Sequence, residues 1–237
     1  MKGAQLKTVS QKRILIVDDQ VLIRVGLKSV INRHSDLVCC GEAGSTAEAY
    51  KAVETLKPDL VMLDLWLDNQ DGLVTIKNLK QLQPSLVILV LSQLDEMIYA
   101  ERVLRAGARG YLMKEQGVKD VITAIRTVLA GEVYVSSKTA SRFLQKSAGM
   151  ETGNHKGDVS KLTDRELQVL LLLGAGMSTK RIANEINLSF KTVETHRENI
   201  KHKLQLSDAV QLIHYASAWL KDQTHPKING NGTLPTK

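Results

Sequence analysis

The sequence predicts an α/β domain built on a parallel sheet, followed by a separate all-α domain. Three observations carry this expectation. Residues 13–131 alternate short aliphatic runs with amphipathic segments. A polar, aperiodic stretch follows, and from Leu162 onward only helical periods remain.

The aliphatic runs lie at 14–17, 37–40, 60–63, 86–91 and 110–113. Helical stretches fall between and after them, at 21–32, 46–56, 73–82, 97–106 and 118–130. Five strand–helix units of this kind give a parallel sheet covered on both faces. Pro58 and Pro84 stand just before strands and end the preceding helices. Residues 132–158 read as a linker that allows one short helix near 139–146. Beyond it, Thr163 and Glu166 form a capping box ahead of the apolar run 167–173, and Gly174 and Gly176 end that helix. Ser178, Ser189 and Ser207 can cap three more helices, reaching about 186, 204 and 220. Residues 159–222 are thus a four-helix domain, and 223–237, rich in Gly, Asn, Pro and Thr, a flexible tail.

Composition excludes several classes. No stretch approaches the ~20 apolar residues of a membrane span, and the basic N-terminus precedes no apolar segment of a signal peptide. A cytoplasmic protein without membrane contact is expected. Cys39 and Cys40 are adjacent, a poor geometry for a disulfide, and read as small core residues in a reducing compartment. The histidines are too scattered for a zinc site. A net charge of +7 hints at a polyanionic partner.

In an open parallel sheet, ligands bind outside the carboxyl ends of the strands. Asp18 and Asp19 follow the first aliphatic run, Asp64 the third, Ser92 the fourth and Lys114 the fifth. One Asp after a strand is usually a turn or a cap, and the Asp18-Asp19 pair could simply cap the next helix. Five such positions together read as a phosphoryl-transfer site. Clustered carboxylates suit Mg²⁺, one of them can act as nucleophile, and a lysine and a hydroxyl can hold phosphoryl oxygens.

These residues, with Pro58-Asp-Leu-Val-Met-Leu-Asp64, Asp71-Gly72 and Ala106-Gly-Ala-Arg-Gly-Tyr111-Leu-Met-Lys114, resemble the receiver domain of two-component response regulators. The resemblance covers 13–131 and implies a flavodoxin-like sheet of strand order 2-1-3-4-5. It implies that Asp64 accepts phosphate from a histidine kinase. Asp19, Asp64 and the backbone carbonyl of Trp66 would ligate Mg²⁺, with Asp18 acting through water. Lys114 would pair with the phosphoryl group, while Ser92 moves to bond it and Tyr111 swings inward. Asp68 stands where the family usually has proline. Trp66 and Gln93 are larger than the residues usual at their positions.

A second candidate site lies in residues 190–204. Val193, Ile200 and Leu204 share one helical face, and Lys191, Thr195, Glu198 and His202 the opposite one. A short helix and a tight turn precede it, as in a helix-turn-helix. An ordinary solvated surface helix fits the charge pattern equally well. The order of Leu162-Thr-Asp-Arg-Glu-Leu, Ser178-Thr-Lys-Arg-Ile-Ala and Lys191-Thr-Val-Glu-Thr-His-Arg-Glu-Asn-Ile is similar to the LuxR-type helix-turn-helix. That resemblance implies a third helix in the major groove of double-stranded DNA and a last helix that pairs two copies, a homodimer on DNA. Lys191, Glu194, Thr195 and Glu198 are the candidates to reach bases or adjacent phosphates. Lys191, Thr192, Arg197, Lys201 and Lys203 are the candidates for phosphate contacts.

Together the halves resemble the NarL/FixJ family, which implies a phosphorylation-dependent transcription regulator rather than an enzyme, with chemistry confined to its own Asp64. Two rivals stand beside it. A phosphatase or kinase using Asp64 covalently lacks a nucleotide-binding glycine loop. A receiver that has lost phosphorylation and only binds a partner would fit the substitutions at Trp66, Asp68 and Gln93.

Overall fold

The structure, a computed structural model, describes residues 11–67, 70–150 and 158–224. Asp68, residues 151–157 of the expected linker and the tail beyond 224 lie outside the described residues. The chain divides into two compact units, Met1–His155 and Lys156–Lys237.

The first unit is a parallel sheet of β1 (Lys12–Val17), β2 (Leu37–Ala43), β3 (Leu60–Leu63), β4 (Val87–Ser92) and β5 (Gly110–Met113). Its order is β2-β1-β3-β4-β5, the expected 2-1-3-4-5. Around it run α1 (Val21–Ile31), α2 (Thr46–Leu56), α3 (Gly72–Leu82), α4 (Glu96–Ala106) and α5 (Val118–Leu129). Leu27 and Ile31 of α1 and Ile125 and Val128 of α5 form one core with Ile14, Ile16, Leu60, Met62 and Leu89. The alternate strand residues Leu15, Val17, Val61, Leu63, Ile88 and Val90 are equally buried, and α2, α3 and α4 pack side by side. Burial on both faces is why the central strands read as continuous aliphatic runs.

Three local features depart from the expected pattern. β2 runs three residues past Cys40, because a bulge absorbs Cys40: Ile14 pairs with Cys39 and Leu15 with Gly41. Both cysteines are half-buried on this edge strand, and Cys39 packs against the core. After β3 the chain makes a two-residue antiparallel ladder, Trp66–Leu67 with Gln70–Asp71. Gly72 closes it, where a Cβ would lie 2.5 Å from the Leu65 carbonyl oxygen, backbone that cannot give way.

The segment expected to be a linker is largely built into the first unit. Tyr134 lies alongside the edge of β5: the Tyr111 N–H donates to its carbonyl at 2.8 Å, and its own N–H donates to Arg109 at 3.2 Å. Ser136 then caps α6 (Ser137–Ser147), which lies on α4. Glu96 accepts from the Ser136 N–H at 2.7 Å, Arg142 donates to the Met97 carbonyl at 3.0 Å, and Lys146 pairs with Glu101 at 2.8 Å.

In the second unit a short 3₁₀ turn, Val159–Lys161, leads into α7 (Asp164–Gly174), α8 (Thr179–Glu185), α9 (Phe190–Leu204) and α10 (Ala209–Thr224). The Thr163–Glu166 capping box forms, and Ser178 and Ser189 cap their helices. Helix α7 is buried almost all round and touches the other three. Gly176, at φ +81°, turns the chain out of α7. Gly174 has another purpose: a Cβ there would lie 2.6 Å from the Ala216 carbonyl oxygen, so it lets α10 approach α7.

Candidate functional site

Backbone bonds between strand ends build the first site. Asp18 donates its N–H to Ala43, Asp64 to Val17 and Lys114 to Ser92, at 3.1, 2.8 and 2.9 Å. Each polar side chain is thereby fixed at the carboxyl edge of the sheet. Asp18, Asp64 and Ser92 are buried, and Asp19 is exposed. Carboxylate oxygens of Asp18, Asp19 and Asp64 lie within 4.8 Å of one another, a set of hard donors that could hold a metal ion.

Lys114 supplies the compensating charge. Its Nζ lies 2.6 Å from Asp18 Oδ2 and 2.7 Å from Asp64 Oδ2, with all three side chains at most 5% exposed. Burial pushes the Asp64 carboxyl up to about 6, against the opposing pull of Lys114. Burial alone would lower Lys114, but the charges of Asp64 and Asp18 outweigh it and raise its pKa. Asp64 Oδ1 also accepts from the N–H of Trp66 at 3.2 Å. The indole of Trp66 and the side chain of Gln93 are both half-buried. Asp18 Oδ1 accepts from Gln20 N at 2.9 Å, a turn ahead of α1 and not a cap, since α1 has no side-chain cap; Oδ2 faces Lys114.

Ser92 and Tyr111 meet at the start of α4. Ser92 Oγ accepts from Leu94 N at 3.2 Å. Tyr111 is 1% exposed and its hydroxyl donates to the Leu94 carbonyl at 2.6 Å. The inward position expected to follow phosphorylation is therefore already occupied here.

One contributor escaped the sequence reading. Arg24 of α1 donates to the carbonyls of Asp18 and Asp19 at 2.6 and 3.3 Å and pairs with Glu42 at 3.4 Å. It pins the peptide that carries both carboxylates. A basic residue in the second turn of the helix after a carboxylate pair, with an acid at the neighbouring strand end, is the signal that could have found it.

The second site is α9. Val193, Ile200 and Leu204 are buried, which anchors the helix and turns Lys191, Thr195, Glu198 and His202 outward. Thr192 serves the N-cap: its N–H and hydroxyl bond Ser189 Oγ at 3.1 and 2.7 Å. Glu198 pairs with Lys201 at 2.9 Å. Two expected phosphate contacts are engaged elsewhere. Lys203 Nζ lies 2.6 Å from Oε2 of Glu166, whose carboxylate is 3% exposed. Burial works to raise the pKa of Glu166, but the bonds from Lys203 and Thr163 hold it below the usual range. Arg197 is 15% exposed and donates to Glu194 Oε1 at 3.0 Å and to Thr179 Oγ1 of α8. Each of these cations stands three or four residues from a buried position of α9, and there it meets a polar group of the helix packed alongside. The sequence period alone does not distinguish this fate from solvent exposure.

Known proteins match both units. Residues 14–126 fit the response regulator receiver domain, and residues 160–216 fit bacterial regulatory proteins of the luxR family. The oxygen regulatory protein NreC of Staphylococcus aureus is 33% identical over 208 residues, spanning 86% of this chain and 96% of NreC. RcsB of Salmonella typhimurium shares the fold at TM-score 0.71 and 22% identity, over 89% of this chain and 98% of that one. RcsB has also been solved bound to the promoter rprA in the presence of the phosphomimetic BeF3-, with TM-score 0.69 and 23% identity over 88% of this chain and 99% of that one. Both matched models describe regulatory domains, and the identity to NreC runs through the two of them. The chain therefore belongs to the response regulators that join a receiver domain to a LuxR-type helix-turn-helix, the NarL family.

Proposed function

We propose that the protein is a transcription regulator whose DNA binding is set by phosphorylation of Asp64. The observation that carries this reading is Lys114, held at 2.6–2.7 Å from both Asp18 and Asp64 at the end of the sheet. An Asp64 oxygen attacks the phosphorus of a phosphohistidine on a histidine kinase. The new bond is an acyl phosphate, and the P–N bond breaks to release the imidazole. Mg²⁺, held by Asp19, Asp64 and the Trp66 carbonyl with Asp18 acting through water, would neutralise phosphoryl charge. Lys114 can leave Asp18 to pair with the phosphoryl oxygens, and Ser92 lies next to the acceptor strand to bond one of them. Chemistry stays on this one aspartate, with slow hydrolysis returning it. Beside the acceptor, Val21, Leu22 and Val25 of α1 and Val118 of α5 are 56–85% exposed, an apolar face suited to a helical phosphodonor.

The exposed residues of α9, Lys191, Thr195 and Glu198, with Glu194 beside them, fit the major groove of double-stranded DNA, and Lys201 the phosphates. A homodimer on DNA, in the cytoplasm, completes the reading. RcsB, of the same fold, is bound to promoter DNA with a phosphomimetic. Incubation with acetyl phosphate and Mg²⁺ should add one phosphate by intact mass, lost in Asp64→Asn, and should raise affinity for selected DNA. Unchanged labelling of that variant refutes the acceptor.

A further inference from the structure

We infer that Arg197 is a positioning residue for sequence recognition, which aims Glu194 at the bases and does not contact phosphate. This rests on the reading of α9 as the DNA-reading helix. The two acids of that helix are each paired with a base three residues on, but the pairs differ. Lys201 and Glu198 are held on α9 alone, with Glu198 66% exposed. Arg197 reaches across to a second element. Its guanidinium, 15% exposed, donates through Nη1 both to Glu194 Oε1 at 3.0 Å and to the hydroxyl of Thr179, the first residue of α8. Thr179 is itself buried, 7% exposed, so the anchor is rigid.

Two physical consequences follow. A planar guanidinium with fixed donors holds one carboxylate oxygen in place, which a flexible ammonium does less well. Glu194 then keeps one rotamer, 40% exposed, with its other oxygen available to accept a hydrogen bond such as that of a cytosine amine. The arginine also cancels a negative charge that would otherwise sit against the DNA backbone. An acid on a DNA-reading helix is tolerable when its countercharge is built into the protein. Arg197 spends its Nη1 on two partners inside the protein, Glu194 and Thr179 of the neighbouring helix, whereas Lys201 is held by Glu198 alone.

The test is selection from random duplexes by the full chain, treated with acetyl phosphate and Mg²⁺. Wild type, Glu194→Ala, Arg197→Ala, Arg197→Lys, Thr179→Val and the Glu194→Ala/Arg197→Ala pair are compared. Glu194→Ala should erase the preference at one base pair, a discrimination of about 5- to 150-fold. Arg197→Ala should erase the preference at that same pair, and the double variant should add nothing. Arg197→Lys and Thr179→Val should weaken the preference with the salt slope unchanged. These two milder changes keep the test decisive if Arg197→Ala misfolds. Preference retained in Arg197→Lys and Thr179→Val overturns the proposal. So does uniform weakening with a salt slope lower by about one, the signature of a phosphate contact. Retention of every preference by Glu194→Ala overturns it through its premise. Absence of DNA binding by wild type instead overturns the reading of α9 on which it stands.

Discussion

The hydroxyl of Tyr111 on β5 donates a 2.6 Å hydrogen bond to the carbonyl of Leu94, two residues beyond Ser92. Leu94 N in turn donates to Ser92 Oγ at 3.2 Å. The end of β4, the start of α4 and the edge strand β5 are thereby tied through one buried residue. Replacing Tyr111 by Phe removes the donor and strands a buried acceptor, at a cost of about 1–3 kcal/mol. Urea unfolding followed at Trp66, in a Trp219→Phe background, should register that loss. It should also blunt the gain in DNA affinity that acetyl phosphate produces. A variant as stable and as responsive as its parent would separate Tyr111 from the switch.

Asp64 is expected to make stability depend on pH in an unusual direction. Its folded pKa is raised from 3.8 to about 6, chiefly by burial, so the folded state holds the proton more tightly than the unfolded one. Its contribution is full below 3.8 and is lost as the pH rises through about 6. Asp64→Asn cannot ionise and escapes that loss. In EDTA the variant should gain on wild type between about pH 4 and pH 6, by about 2–3 kcal/mol, and hold the gain above. Added Mg²⁺ should narrow the gap. Thermal melts across that range give the answer, and a gap independent of pH contradicts it.

Asp18 and Asp19 should not be equal partners for a cation. Asp18 is buried and already bonded to Lys114 and Gln20, whereas Asp19 is exposed beside them. Asp19→Ala should therefore weaken Mg²⁺ binding by about tenfold or more, and more than Asp18→Ala. Calorimetric titration of the two variants tests the order, and equal affinities in wild type and Asp19→Ala would remove Asp19 from the site.

Helix α6 should open independently of the sheet. It is held to α4 by Arg142, Lys146 and the Thr139 hydroxyl, which donates to Met97 Sδ at 3.4 Å. The Lys146–Glu101 pair is exposed and worth little, so Arg142 and the buried Thr139 carry the docking. Arg142→Ala with Thr139→Val should speed amide exchange in 137–147 by about tenfold while β3 and β4 keep their protection. Uniform exchange in both regions would mean that α6 is an integral part of the core.

The residues of the first site were legible because topology alone gathers strand ends. A parallel sheet puts the residue after each strand on one edge, so Asp18, Asp64, Ser92 and Lys114 could be placed from period and sequence position. The Asp71-Gly72 pair was legible as a motif but not as a cause. Only the structure places the Leu65 carbonyl where a Cβ at Gly72 would sit. The caps Thr163, Ser178 and Ser189 were equally readable, since a serine or threonine ahead of an apolar period bonds the chain within its own first turn. At the last helix Asp208, and not the expected Ser207, accepts from the Gln211 N–H at 2.8 Å.

What the sequence determined by itself is what depends on near neighbours along the chain: strand and helix periods, caps, the order of the sheet through its motifs, and the buried stripe of α9. Tertiary structure decided the rest. It chose whether a long cation finds solvent or a protein acid, sending Arg197 to Glu194 and Thr179, and Lys203 to Glu166. It drew the expected linker onto α4 through contacts about forty residues apart. The reason is physical. A local rule fixes the direction in which a side chain leaves its helix, but its partner depends on which element packs against that face, and sequence separation carries no record of that distance.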